Sequence, residues 1–306
     1  MKDPGQAEIS VPASAANLGP GFDALGLALE LRNVYKFEPA PFDIIEASGK
    51  FAQFVPHDTT RNLAFRAFRS IAPPGAGPYR LHATRVIPAQ GGLGSSGSAI
   101  VGGLSAANHA FGLRLSDDDL LSRAIEMEGH ADNVAPALLG GLVVVVKNSG
   151  EPRWVRLSLP TSLGLVLLVP DYRVPTYRAR SALPESVPLQ DAVANLSRVA
   201  LLIAALAEKQ YDVLRVATQD FLHQPYRKAL NPALDPCMHA ALDAGGYGAS
   251  LSGSGPTIVA FVPKEKNISV ASAMADACHN AGHGCETYVV GPAVKGSHPV
   301  EASDPS

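Results

Sequence analysis

Alternating apolar and polar residues at 7–12 (AEISVP), 33–38, 42–47 and 79–87 predict four strands in the first half of the chain. Between the third and fourth, Leu63, Ala64, Ala67, Phe68 and Ile71 fall at helical spacing and predict a helix over 62–72. A helix of small residues is expected to follow the loop PAQGGLGSS and to reach about residue 111. Ser116 followed by Asp119 has the form of a capping box, and acids at 117–119 suit the positive end of a helix running to about residue 128. Residues 142–147 read as a short buried strand. In the second half, strands are expected at 154–158 and 163–169, and helices at about 188–208, 210–222 and 233–244. Strands at 248–252 and 257–262 flank an SGSGP turn, and a helix over 267–281 and a strand over 286–290 follow. The last sixteen residues, 291–306, are polar and expected to fray. No repeat or heptad appears, so the pattern is α+β with a boundary near 150–160.

Composition narrows the class. A chain of 306 residues, 46% hydrophobic and 17% charged, is long enough for two domains and buries a core without disulfide or metal staples. A net charge of −3 offers no broad basic face for nucleic acid or an anionic membrane, so neither is expected as a partner. The longest apolar stretches, at 142–146, 163–169 and 199–207, fall short of a membrane span, and the N-terminus MKDPGQAEIS does not read as a secretory signal. Three cysteines without a CxxC pair fit a reducing compartment, and a cytoplasmic protein is expected. The 28 glycines and 25 prolines exceed ordinary usage, which raises the question of where the glycines sit.

Four segments answer it. GGLGSSG (91–97) lies between a strand and a helix, where glycines let the backbone approach a ligand and free N–H groups at the helix start favour anions. A plain turn with two serine caps is the other reading of that loop. Its G-x-G-x-x-G spelling is not taken as a dinucleotide fingerprint, because the acids at 117–119 open a helix instead of ending a second strand. No lysine follows the last glycine, so it is not a Walker A loop. VPASAANLGPGFD (11–23), EGHADNVAP (128–136) and GASLSGSGP (248–256) are three further polar or glycine-rich turns. Four such loops in this order are hard to explain as turns alone.

Together the four segments resemble the conserved blocks of the GHMP small-molecule kinases, and the first and third resemble the homoserine kinases among them. The likeness spans about residues 8–291. Gly97, Ala131 and Tyr177 depart from the usual residues without removing a proposed contact. The resemblance implies a two-domain GHMP kinase fold, an N-terminal domain over residues 1–155 with the ATP loop and a ferredoxin-like C-terminal domain over 156–306. It implies ATP-dependent phosphorylation of the side-chain hydroxyl of L-homoserine, Mg²⁺ as the metal, and a homodimer.

The same resemblance assigns residues. ATP would lie on Pro88, Gly91, Gly92, Leu93, Gly94, Ser95, Ser96, Gly97 and Ser98, with Asn62 near the adenine or acting only as a helix N-cap. Ser96 and Glu126 would hold Mg²⁺, with Glu128 two residues on as the alternative. Asp23 would pair with the substrate ammonium, Asn17 with its hydroxyl, and Arg180 and Arg227 with its carboxylate, since a guanidinium holds a carboxylate bidentately. Thr176, His130 and Asn133 would sit at the substrate end, and Asn17, Asp23, Glu126, Asn133 and Arg180 form the catalytic set. The general base stays open: Asp132 and Asp23 are the carboxylates in reach, and a loose transition state demands little activation of the nucleophile. Other acceptors within the superfamily (mevalonate, shikimate, a sugar), a silent relative and a NAD-binding protein are the competing readings.

Overall fold

The computed structural model describes residues 5–89, 91–147 and 151–300. Its strands are β1 (Ala7–Ala16), β2 (Leu25–Pro39), β3 (Ile44–Ser48), β4 (Tyr79–Thr84), β5 (Leu142–Val146), β6 (Arg153–Leu157), β7 (Leu163–Pro170), β8 (Gly248–Leu251), β9 (Ile258–Pro263), β10 (Cys285–Val290) and β11 (His298–Pro299). The helices are α1 (Leu63–Ile71), α2 (Ser95–Ala110), α3 (Asp117–Glu128), α4 (Val134–Leu139), α5 (Thr176–Ser181), α6 (Leu189–Glu208), α7 (Leu214–Ala217), α8 (Gln224–Arg227), α9 (Leu234–Asp243) and α10 (Asn267–Asn280).

The strands form two sheets. One runs β11-β1-β2-β4-β3, with β5 and β6 branching from the front half of β2; the other runs β10-β7-β9-β8. Only the β3–β4 pair is parallel among the described residues. β2 starts at Leu25, eight residues before the alternation predicts, because LGLAL is buried on both faces and a continuously buried strand does not alternate. Its first residues pair with β5 and its last with β4, while β1 follows it throughout with a register shift at Pro12/Ala13.

α1, α2, α3 and α4 cover one face of the first sheet, where Phe37 stacks on Phe68 with ring centroids 4.1 Å apart. Gly102 and Gly103 allow α2 its close approach: a Cβ on Gly102 would lie 2.3 Å from the Tyr35 ring and one on Gly103 2.1 Å from the Ala64 carbonyl. α9 and α10 pack on the second sheet around Met274, Val270 and Cys237. A third cluster, in which Leu18, Leu25 and Leu93 meet Leu165, Phe261 and Leu206, ties the two sheets together.

Three expectations are corrected. The helix expected over 210–222 is broken into a 3-10 turn (Tyr211–Val213), the four-residue α7 and a loop. Asp220 ends the helical path by accepting the backbone N–H groups of Leu222, His223 and Gln224, a local alternative to helix hydrogen bonds. Residues 291–300 do not fray. Ala293 is buried and exchanges backbone hydrogen bonds with Ala28 and Gly141, and β11 pairs with β1. Backbone pairing, invisible in a polar composition, holds this segment; residues 301–306 lie outside the described residues. α6, finally, is long and apolar enough to cross a membrane, although only 199–207 reads as continuously apolar. Its buried Asn195 donates to the Pro20 carbonyl and accepts from Phe221 N–H, which ties the helix to the neighbouring loops.

Candidate active site

A cleft of about 440 Å³ opens where the loops of both sheets meet. At one end lies the start of α2. Gly94 takes the left-handed conformation (φ 66°), and no side chain caps this helix, so its first N–H groups are left for a ligand. Gly92 (φ 77°) lets the loop pass so close to the SGSGP turn that a Cβ would lie 2.3 Å from the Ser252 carbonyl. The turn braces the loop in return: Ser252 Oγ donates to the Gly92 carbonyl at 2.7 Å and Thr257 N–H to the Gly91 carbonyl at 3.1 Å.

Gly91, Gly92, Gly94, Ser95 and Ser96 line the cleft as expected from the loop; Pro88, Leu93, Gly97 and Ser98 do not. Pro88 is buried beside Gly91, and Leu93 is fully buried in the core. Gly97 packs against Val134, and the Ser98 hydroxyl turns inward to Tyr35 and Asn33. The last two lie on the core face of α2, so they shape the loop from behind.

Ser96 Oγ donates a short hydrogen bond to Glu128 Oε1. Glu126, expected as Ser96's partner, is exposed and outside the cleft. The correction is one of helix phase: Leu121, Ala124 and Ile125 face inward, and Glu128, three to seven residues on, shares that face while Glu126 falls opposite. Burial pushes the Glu128 carboxyl above the usual carboxylate range, and the Ser96 hydrogen bond only partly opposes it. A buried carboxylate beside a hydroxyl at the glycine-opened start of α2 is a pair of hard oxygen donors, which fits Mg²⁺, a metal that takes one or two carboxylates and completes its shell with phosphate and water.

At the other end stands a constellation of acids, amides and arginines. Asn17, Leu18 and Asp23 all have positive φ (71°, 51° and 54°). Asn17 holds this strained turn, donating to the Gly253 carbonyl at 3.0 Å and accepting Asp23 N–H at 3.1 Å. Asp23 receives both terminal nitrogens of Arg180 at 3.1 Å, a bidentate pair near the surface. Arg227 is 2% exposed and donates to the carbonyls of Ala179 and Gly253. Burial, then the charge of Arg180, holds its guanidinium below the ordinary range.

His130 Nδ1 lies 2.8 Å from Asp132 Oδ1, and this hydrogen bond raises the imidazole above its ordinary value. Asn133 accepts from Ser14 Oγ at 2.9 Å, directly beneath Gly94. Thr176 meets Ser254 at 3.5 Å across the mouth. Asn62, in the cleft wall, caps α1 by accepting Phe65 N–H at 3.0 Å and donates to the Pro56 carbonyl at 2.9 Å.

The first half of the chain matches the model for the GHMP kinases N terminal domain over residues 62–141, and the second half the GHMP kinases C terminal model over 192–280. Homoserine kinase of Carboxydothermus hydrogenoformans is 40% identical over 293 residues, covering 94% of this chain and 95% of that one. The chain belongs to the homoserine kinase family. Homoserine kinase of Desulfitobacterium hafniense is 42% identical over 287 residues, covering 92% of this chain and 96% of its own. The crystal structure of homoserine kinase from Cytophaga hutchinsonii superimposes with a TM-score of 0.88 at 30% identity, over 98% of this chain and 99% of that one. Mevalonate kinase of L. major shares the fold, with a TM-score of 0.72 at 16% identity over 92% and 95% of the two chains.

Two residues of this homoserine kinase family member escaped the sequence reading. Arg85 is 9% exposed, lines the cleft beside the glycine loop and donates to Ser95 Oγ, yet its Nε has no partner and no acid pairs with it among the described residues. A lone arginine in the apolar frame TRVIP, just before the glycine loop, was its only signal. Ser14, at the end of β1, was hidden because its role depends on Asn133, 119 residues away.

Proposed function

We propose that this protein transfers the γ-phosphoryl group of ATP to the side-chain hydroxyl of L-homoserine, giving O-phospho-L-homoserine and ADP. The observation that carries the reading is that a single cleft joins an uncapped, glycine-opened helix start to an Asp23–Arg180–Arg227 cluster. Such a cluster suits a small zwitterion. The substrate ammonium would take Asp23 and its carboxylate the guanidinium groups of Arg180 and Arg227, exchanging the Asp23–Arg180 pair for two charge-assisted contacts. Asn17, His130, Asn133 and Thr176 would orient the rest of the molecule.

The homoserine oxygen attacks the γ-phosphorus, the bond to the β–γ bridging oxygen breaks, and the hydroxyl proton leaves to a phosphate oxygen or to water. Such a transfer asks the protein mainly for alignment and charge neutralisation. N–H groups at the start of α2 and the Arg85 guanidinium supply positive potential for the phosphates. Ser96 and Glu128 would hold Mg²⁺, which when bound neutralises phosphate charge. Asn62 would border the nucleotide base while capping α1.

A division into domains at residues 1–155 and 156–306 belongs to the same reading. It is supported by two sheets drawn largely from the two halves, with residues 291–300 crossing back to the first. The reading also includes a cytoplasmic homodimer, which sedimentation measures directly. ADP release in the presence of Mg²⁺ and ATP tests the activity, with homoserine, mevalonate, shikimate, galactose or no acceptor. Turnover with homoserine alone is expected; silence with homoserine sinks the proposal.

A further inference from the structure

His223 is completely buried and has no part in the assignments above. Its Nε2 lies 2.8 Å from the Gly19 carbonyl, which only accepts, so Nε2 carries the proton. Its Nδ1 lies 3.2 Å from Arg227 Nη1, which only donates, so Nδ1 offers a lone pair. Two partners of opposite kind thus fix one neutral tautomer. Asp220 Oδ2 is farther from Nε2, at 3.5 Å, and already accepts the backbone N–H groups of His223 and Gln224 at 2.9 and 2.6 Å. The imidazole also stacks on Phe22, with ring centroids 5.2 Å apart.

Those contacts reach both arms of the amino-acid end of the cleft. Gly19 and Phe22 belong to the turn that presents Asp23. Arg227 lies over the same Phe22 ring, 5.3 Å from its centroid, and its three side-chain hydrogen bonds end on Ala179, Gly253 and His223. Its Nη2 has no protein partner among the described residues, and Arg227 lines the cleft. Burial favours the neutral ring, and a protonated one would set an N–H against the guanidinium.

We infer that His223 is a positioning residue for substrate recognition: its neutral ring, shared between the Gly19 carbonyl and Arg227, aims Arg227 Nη2 at the substrate carboxylate and fixes the spacing between that cation and Asp23. The inference rests on the reading of this cleft as a homoserine site. Neither asparagine nor glutamine reproduces both contacts. His223→Asn keeps an acceptor near the place of Nδ1, toward Arg227; His223→Gln keeps a donor near the place of Nε2, toward Gly19.

The test compares L-homoserine with L-homoserinol, in which CH₂OH replaces the carboxylate. For His223→Gln, kcat/KM with homoserine is expected to fall about 10- to 100-fold, mostly through KM, the worth of one mis-aimed charged hydrogen bond. With homoserinol the change stays within roughly threefold, and the KM for ATP is unmoved. His223→Asn retains more of the preference for homoserine. An equal loss with both acceptors, or an unchanged homoserine KM, overturns the inference, because damage to the fold alone would not distinguish them. If the wild-type protein fails to phosphorylate homoserine, the substrate reading falls instead. Nitrogen-15 NMR of the wild-type histidines gives a second measurement that needs no glutamine variant to fold. One ring protonated only at Nε2 at neutral pH, absent from the His223→Asn spectrum, is expected, and a doubly protonated ring there overturns the assignment.

Discussion

Glu128→Gln is expected to slow the enzyme and stabilise it at once. The carboxyl group is nine-tenths buried, receives the Ser96 hydroxyl, and has the His130 ring 3.9 Å away, with the Asp132 charge adding to the effect of burial. Glutamine keeps an oxygen for Ser96 and removes a charge that burial disfavours. About 1 kcal/mol of stability gained is typical of relieving such a functional cost, and in a chain of this size it raises Tm by about 2 °C. Losing the charge removes an electrostatic contribution at the phosphates, where one such group is commonly worth about 10²–10³ in kcat, or about 3–4 kcal/mol. Coupled ADP release at saturating substrates, repeated over a Mg²⁺ series, reads the first effect, and thermal unfolding reads the second. A higher Mg²⁺ requirement should accompany the slower rate. Glu126→Gln, on the opposite face of α3, changes neither. The reasoning fails if Glu126→Gln costs as much activity as Glu128→Gln, or if Glu128→Gln unfolds earlier and keeps its rate.

Gly92→Ala should be poorly tolerated, costing about 2 kcal/mol or more, since it combines a left-handed backbone with a Cβ 2.3 Å from a main-chain oxygen; a melting curve unchanged from wild type contradicts this. Asn62→Ala removes a cap worth about 1 kcal/mol and should raise the KM for ATP, whereas Ser116→Ala, which opens the capping box of α3 away from the cleft, should lower Tm alone. Burial holds the pKa of His223 below its unfolded value of about 6.5, so the native state binds fewer protons than the unfolded one under acid conditions. The contribution of His223 to stability is therefore complete above about pH 6.5 and lost as pH falls below it. His223→Asn should flatten that loss, measured by urea unfolding across pH, with Asp220, Arg227 and Asp23 facing the site in both proteins.

The four loops were legible because each demands glycine or a small polar residue whatever the rest of the chain does. Gly92, Gly94 and Gly253 all take positive φ, Gly92 and Gly253 where two main chains approach and Gly94 over the Ser14 and Asn133 side chains. The choice between Glu126 and Glu128 was also written in the chain, in the inward phase of Leu121, Ala124 and Ile125, but the motif does not display that phase. Arg85 and Ser14 could not be read locally, since their meaning lies in partners brought up by distant segments. Likewise β11 consists of two residues whose place is set by pairing with β1, without a hydrophobic signature of its own. Asn62 caps α1, as one of its two readings expected, and also stands in the cleft wall.

The return of residues 291–300 to the first sheet bears on how the chain is made. Ala293 latches onto Ala28 and Gly141, and Ser297 onto Leu138, so the N-terminal sheet lacks its edge and part of its floor until residues 291–300 exist. Until those residues have been synthesised and have left the exit tunnel, that sheet cannot close. The half of the molecule synthesised first is thus completed only by residues made after the whole of the second sheet.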